Sequence, residues 1–423
     1  MLPSLLLIKQ KVTNVYQISN AQAVIKETLG RSCVDKAQIR GKTIGIAVGS
    51  RGIDKLEEIV KGIVQYIKTA DGNPIVFAAM GSHGGGTAKG QLEVLAALGI
   101  TEANVGAPVE SCSLCDFLGT TESGIPVYYN SIVHKFDSMV VVNRVKPHTD
   151  FSDETESGLL KMLSIGIGNQ KGCMIIHKYA LQMGYGHVIR EAANYMLERL
   201  PVLFGVILTE NWMSKLDKIE VVLPHKFYKR EKEILARLKE GLVKLPAKEI
   251  DVLIVGRIGK NISGTGMDTK TVGRIMIRGQ PEPDYPKIGR IIVLGISKES
   301  HGNAIGIGLA DLTTREVLKS IDLHATSINS ISSMTPEQGR IPCIMETEQE
   351  AIEAALGTLG IPNEEDARVI YIQDTNHLEI MAISLSLYNQ LKDNNRIEAI
   401  SDPISMNFNE KGNLTSFQKE LGL

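Results

Sequence analysis

A histidine followed by three glycines, in Met80-Gly81-Ser82-His83-Gly84-Gly85-Gly86-Thr87, is the first place in this 423-residue chain where residue types suggest chemistry. An imidazole gives and takes protons near neutral pH. The glycines permit positive φ and close approach of backbone to a ligand. Amides opening a helix suit an anion, although a tight turn with a capping histidine fits the same residues. A second candidate is Arg144-Val145-Lys146-Pro147-His148-Thr149-Asp150. Pro147 holds its predecessor extended, so His148 projects from a stiff loop; a charged surface loop is the plain alternative. Lys161 sits in Glu156-Ser157-Gly158-Leu159-Leu160-Lys161-Met162-Leu163. Its helical neighbours would be Ser157, Gly158, Ser164 and Ile165, none of them a carboxylate. Buried, such a lysine has a lowered pKa and becomes an amine nucleophile; otherwise it snorkels to water. His177, in Met174-Ile175-Ile176-His177-Lys178, is either a satisfied histidine or a single imidazole ligand to nickel, copper or zinc. Before it, Gly166-Ile167-Gly168-Asn169-Gln170-Lys171-Gly172 is glycine-rich like a phosphate loop without completing a dinucleotide fingerprint.

Apolar β-branched strands, each followed by a Gly-rich loop and an amphipathic helix, must position these groups. The pattern predicts strands at Thr43–Val48, Pro74–Met80, Met139–Asn143, Pro201–Thr209, Asp251–Val255 and Arg290–Gly295. Helices are predicted from about Asp54 to Thr69, with Leu56, Ile59, Val60, Ile63 and Ile67 on one face, and over Gly90–Leu98. The fold class is therefore α/β, with two domains that each hold a largely parallel sheet flanked by helices. Ligands of such sheets sit beyond the carboxyl ends of the strands, where the loops after Val48, Met80 and Asn143 fall. The charged helix Lys226–Leu245 ends at Pro246 and reads as a solvated face. The expected division is an N-terminal domain over 1–248, a C-terminal domain over 249–393, and a polar tail over 394–423 whose placement, back on the N-terminal domain, on the C-terminal one or frayed, stays open. The active site is expected in the cleft between the domains.

Composition narrows the function classes. The chain is 43% hydrophobic and 22% charged with a net charge of −2, ordinary for a globular enzyme and without a nucleic-acid footprint or a basic membrane surface. Apolar runs such as Val252–Val255 are of strand length, far short of a membrane span. No signal peptide is read at the start. Five dispersed cysteines indicate a reducing, cytoplasmic setting. Cys112-Ser113-Leu114-Cys115 is one CxxC without a second pair and is read as incidental. His324 and His377, each near an aspartate, are read as satisfied histidines.

Taken together, Ser50-Arg51 after the first strand, Gly81-Ser82-His83 after the second, Lys146-Pro147-His148 after a later strand, Lys161, and His177 sixteen residues on resemble the nickel-pincer-nucleotide lactate racemase family. The resemblance is clear over about residues 40 to 180 and extends by domain layout over the chain. It implies a 2-hydroxy acid racemase or epimerase. Lys161 would tether the pincer cofactor and His177 would ligate its nickel. His83 and His148 would be the acid/base pair, and Arg51 would pair with the substrate carboxylate through its planar fork. A hydride route from C2 avoids a dianionic carbanion, and two histidines serve the two faces of the 2-keto acid. The implied partners are the small-molecule substrate and cofactor-biosynthesis proteins; oligomeric state stays open.

The chain departs from that family at three places. Val48 stands where an acidic residue is expected, and Gly264 and Met267 stand where the family has a Gln and a Lys. Lys260 and Asn261 remain as polar groups on the substrate side. The expectation is a substrate larger than lactate. A nicotinamide-dependent oxidoreductase and a non-catalytic nucleotide or small-acid binder remain as alternatives.

Overall fold

The computed structural model describes residues 1–12 and 16–423. The chain forms two compact units, Asn14–Leu242 and Met1–Thr13 with Val243–Leu423. The first strand, β1 (Leu5–Gln10), belongs to the second of these.

In the unit Asn14–Leu242, α1 (Ala21–Gly30) leads into β2 (Thr43–Val48), α2 (Leu56–Thr69), β3 (Asn73–Ala78), α3 (Ala88–Ala97), α4 (Glu102–Val105) and β4 (Val109–Glu110). A hairpin of β5 (Cys115–Thr120) and β6 (Pro126–Asn130) precedes β7 (Ser138–Arg144). The chain continues through α5 (Gly158–Lys161), a π-helical stretch at Met162–Ile167, α6 (Asn169–Met183) and α7 (Tyr185–Leu197). It then forms β8 (Val202–Glu210), β9 (Leu216–Val222) and α8 (Phe227–Gly241). The sheet runs β4-β3-β2-β7-β8-β9, parallel except for the last pair. Apolar side chains cover both faces. Ile44, Ile46 and Val48 pack with α1 and α2 on one side. Ala47, Phe77 and Val141 pack with Leu159, Ile176, Ile189 and Phe227 on the other. Because β3 lies on one side of β2 and β7 on the other, strand order reverses between β2 and β7. A crevice at the carboxyl ends of such a pair is where doubly wound sheets hold ligands. The loop carrying Arg51 and the loop carrying His148 leave those two strands.

The other unit is built on an eight-stranded sheet, ordered β13-β12-β11-β10-β14-β15-β1-β16. Its strands are β10 (Glu249–Val255), β11 (Lys287–Val293), β12 (Leu312–Thr314), β13 (Cys343–Met345), β14 (Val369–Ile372), β15 (Ile380–Ser384) and β16 (Ile397–Ala399). The segment β10 to β14 is parallel; β15, β1 and β16 add antiparallel strands. Here the structure differs from the sequence reading. Leu5, Leu6, Leu7 and Ile8 are all buried, and β1 pairs with β15 and β16 rather than opening the Asn14–Leu242 unit. A run apolar on both sides suits an interior strand and does not say which sheet it enters. The tail also stays with this unit: Leu414, Phe417 and Leu421 pack against Val252, Ile254 and Tyr371. Among the described residues, no helix is long and apolar enough to cross a membrane.

Candidate active site

The loop after β3 presents His83. Gly81, at φ 59°, turns the chain and its N–H donates to the Gly166 carbonyl (3.2 Å) in the π-helical stretch. The buried Gln91 of α3 donates to the Gly81 carbonyl (3.3 Å) and to Asn169 Oδ1 (3.0 Å). Asn169 in turn donates to the Cys112 carbonyl (2.8 Å). These bonds tie the His83 loop to the start of α6, the helix that carries Cys173 and His177. His83 Nδ1 lies 2.9 Å from the Met80 carbonyl. A carbonyl only accepts, so the neutral ring carries its proton on Nδ1 and its lone pair on Nε2.

The loop after β7 presents His148 in the opposite sense. The Asp150 amide donates to His148 Nδ1 (3.1 Å). An amide only donates, so the neutral ring carries its proton on Nε2. The backbone N–H of His148 donates to Glu156 (2.6 Å), a fully buried carboxylate. Four side chains follow in contact. The His148 and Phe151 rings lie 4.5 Å apart. Phe151 stacks on Tyr185 at 4.9 Å and 14°. Tyr185 meets His177 edge-on at 5.7 Å, with Tyr185 Oη 3.4 Å from His177 Nδ1.

Lys161 ends α5, and its Nζ lies 5.9 Å from the Phe151 ring centroid. Burial is the main cause that lowers its amine to about 8. Arg51 and Lys146 push the same way, against the attraction of Asp150. The helix itself offers the amine no carboxylate; Asp150 reaches it from the His148 loop. Burial, then the positive Lys161, lowers His177 to about 4, so its imidazole is neutral at pH 7 with a lone pair to give. Burial raises the Cys173 thiol, whose Sγ lies 3.9 Å from Ser82 Oγ. Arg144 is half-buried and ion-paired with Glu210; burial and the neighbouring Arg51 lower its guanidinium to about 10. Arg51 is exposed.

The structure thus assembles Arg51, His83, His148, Lys161 and His177 in one unit. Lys260 and Asn261 belong to the other unit and are built into its own loop after β10. Lys260 Nζ donates to the Gly264 carbonyl (2.7 Å), and Asn261 Oδ1 accepts from Ser297 (2.6 Å). Met267 is fully buried in that unit's core. Sequence reasoning missed Phe151, Tyr185, Asp150 and Glu156, which link the expected residues. The only hint was that Asp150 and Phe151 follow His148 within one short loop.

The donor set fits a group that brings its own metal donors. Among the described residues, no cluster of three or more His, Cys, Asp or Glu side chains could hold a metal ion unaided. His177 offers one neutral imidazole beside an amine shifted toward its nucleophilic form.

Residues 8–186 match the family model of the lactate racemase N-terminal domain. The solved structure of the lactate racemase apoprotein from Thermoanaerobacterium thermosaccharolyticum matches with a TM-score of 0.52 at 14% identity, over 92% of each chain. No curated protein sequence matches the chain. The chain resembles the lactate racemase family, in sequence over residues 8–186 and in the fold of nearly its whole length.

Proposed function

We propose that this protein is an isomerase that racemises or epimerises a 2-hydroxy acid larger than lactate, using a nickel-pincer nucleotide tethered at Lys161 and ligated by His177. The observation that carries the reading is the placement of Lys161 and His177 on either side of the Phe151–Tyr185 stack, inside the segment that matches the lactate racemase N-terminal domain. When bound, the cofactor supplies an acceptor and donor for the hydride at C2 of the substrate. Arg51 holds the substrate carboxylate through a bidentate fork. His83, with its lone pair on Nε2, takes the hydroxyl proton. His148, entering the cycle as the imidazolium, returns one to the keto oxygen of the reoriented 2-keto acid, and both histidines exchange protons with solvent before the next turnover. Glycine at 264, where the lactate racemase family has a Gln, favours a substrate with more bulk than lactate.

The test is intact-protein mass spectrometry with metal analysis, on protein made in cells that carry the pincer-cofactor biosynthesis enzymes. A mass adduct with nickel in the wild type, both lost in Lys161→Ala, is the expected result. Absence of both from the wild type removes the proposal. A panel of 2-hydroxy acids, including sugar acids, then tests the substrate; turnover of lactate alone would remove its larger size.

A further inference from the structure

Helix α8 reads in sequence as a solvated run of alternating charges, yet in the structure those charges grip the segment 146–161. Its apolar residues Phe227, Ile234 and Leu235 are buried in the same core as Leu159 and Leu160. Gly205 of β8 allows this approach, since a Cβ there would come within 2.7 Å of the Phe227 ring. The polar residues then take hold of the segment at four places. Glu231, 2% exposed, accepts from the Leu159 amide and, at 3.4 Å, from the Leu160 amide. These are orphan donors of the first turn of α5, whose last residue is Lys161. Tyr228 and Lys232 both hold Glu154, at 2.5 and 2.6 Å. Lys239 reaches the Asp153 carbonyl at 2.8 Å and Glu156 at 2.5 Å. Glu156 accepts from the backbone of His148 at 2.6 Å and of Asp153 at 2.9 Å. One helix that contributes no group to the site therefore fixes the carrier of Lys161 through Glu231 and the carrier of His148 through Lys239 and Glu156.

We propose that α8 is a clamp that sets Lys161 and His148 relative to one another, with Glu231 and Lys239 as positioning residues. The inference rests on the functional reading above and adds to it where the precision of the site comes from. Lys239→Met keeps the apolar stem and removes the cation; Lys239→Arg keeps the cation. Glu231→Ala removes the acceptor, and Glu231→Gln keeps one.

The experiment uses full-length protein from cofactor-producing cells. It reads the Lys161 adduct, nickel content, kcat and KM on the best acid of the panel, and hydrogen exchange over residues 146–156. In Lys239→Met the adduct and nickel stay near wild type and exchange over 146–156 quickens. Its kcat falls by roughly 10- to 100-fold, the scale of a misplacement of about 1 Å, with KM nearly unchanged. Lys239→Arg restores both. Glu231→Ala lowers the adduct fraction, and Glu231→Gln recovers it. Wild-type exchange and kcat in Lys239→Met overturn the clamp, as does loss of adduct in parallel with kcat, which marks general unfolding. A wild type with neither adduct nor turnover overturns the functional reading instead; the exchange of Lys239→Met then decides the clamp alone.

Discussion

His83 and His148 are held in opposite tautomers, one donating from Nδ1 to the Met80 carbonyl at 2.9 Å and the other accepting at Nδ1 from the Asp150 amide at 3.1 Å. The backbone makes the choice in each case, so it precedes any ligand. In their neutral forms the two rings therefore present different groups at Nε2, a lone pair on His83 and an N–H on His148. Long-range nitrogen-proton correlation spectra of the protein above pH 8, assigned with His83→Gln and His148→Gln, are expected to show the Nδ1–H form for His83 and the Nε2–H form for His148. The same tautomer at both positions would remove that difference.

Tyr185 is expected to act on metal binding through His177. An imidazole that ligates through Nε2 carries its proton on Nδ1, and that proton needs an acceptor. Tyr185 Oη is 3.4 Å away, and burial raises its hydroxyl to about 12, so it stays a neutral phenol at working pH. Tyr185→Phe keeps the stack on Phe151 and removes the partner. Loss of such partners weakens metal binding by roughly 10- to 100-fold. Nickel retained after dialysis against a chelator is the readout; equal retention in variant and wild type would show that Tyr185 only packs.

The loops that hold Arg51, His83 and His148 were legible in the sequence because apolar β-branched strands mark their own ends, and a parallel sheet collects ligands beyond its carboxyl edge. The crevice at the carboxyl ends of β2 and β7 then follows from strand order, which no local pattern states. The partners were illegible for a different reason. Glu231 lies 72 residues from Leu159, and in sequence it looks like any glutamate of a charged helix. Tyr185 opens a helix of its own, after the one that bears His177. Their roles exist only once α5 to α8 have packed on one face of the sheet. The misplacement of β1 has the same origin: four buried apolar residues specify an interior strand and leave the sheet unspecified.

Glu231 should make stability depend on pH in the direction opposite to an ion-paired carboxylate. Burial pushes its carboxyl up from 4.5 to about 8, against the pull of the Leu159 and Leu160 amides. Between those values the folded protein holds a proton that the unfolded chain has released. The contribution is complete below the unfolded value and is lost as pH rises through about 8. Glu231→Gln has no proton to lose. Urea unfolding from pH 5 to pH 8 is expected to show the wild type losing stability relative to Glu231→Gln, by an amount on the order of a few kcal/mol. Parallel curves would place the proton elsewhere.

Gly158 is the last link between α8 and Lys161, and it leaves no room for another residue. Its φ is +86°, and a Cβ there would run into the Glu231 carboxylate and come within 2.9 Å of Val145. Gly158→Ala therefore carries two separate penalties. Positive φ costs an alanine about 1–2 kcal/mol, and overpacking costs about 1–3 kcal/mol more. The two can be told apart by a double-mutant cycle with Glu231→Ala, which clears the carboxylate and leaves the backbone strain. If the clash dominates, Gly158→Ala is much less harmful in the Glu231→Ala background than in the wild type, with a coupling on the order of 1–3 kcal/mol. Additive losses would mean that the backbone angle and the Val145 contact, and not the carboxylate, require glycine. In that case α5 would keep its entry geometry without Glu231, and the glutamate would serve only the two amides it accepts from.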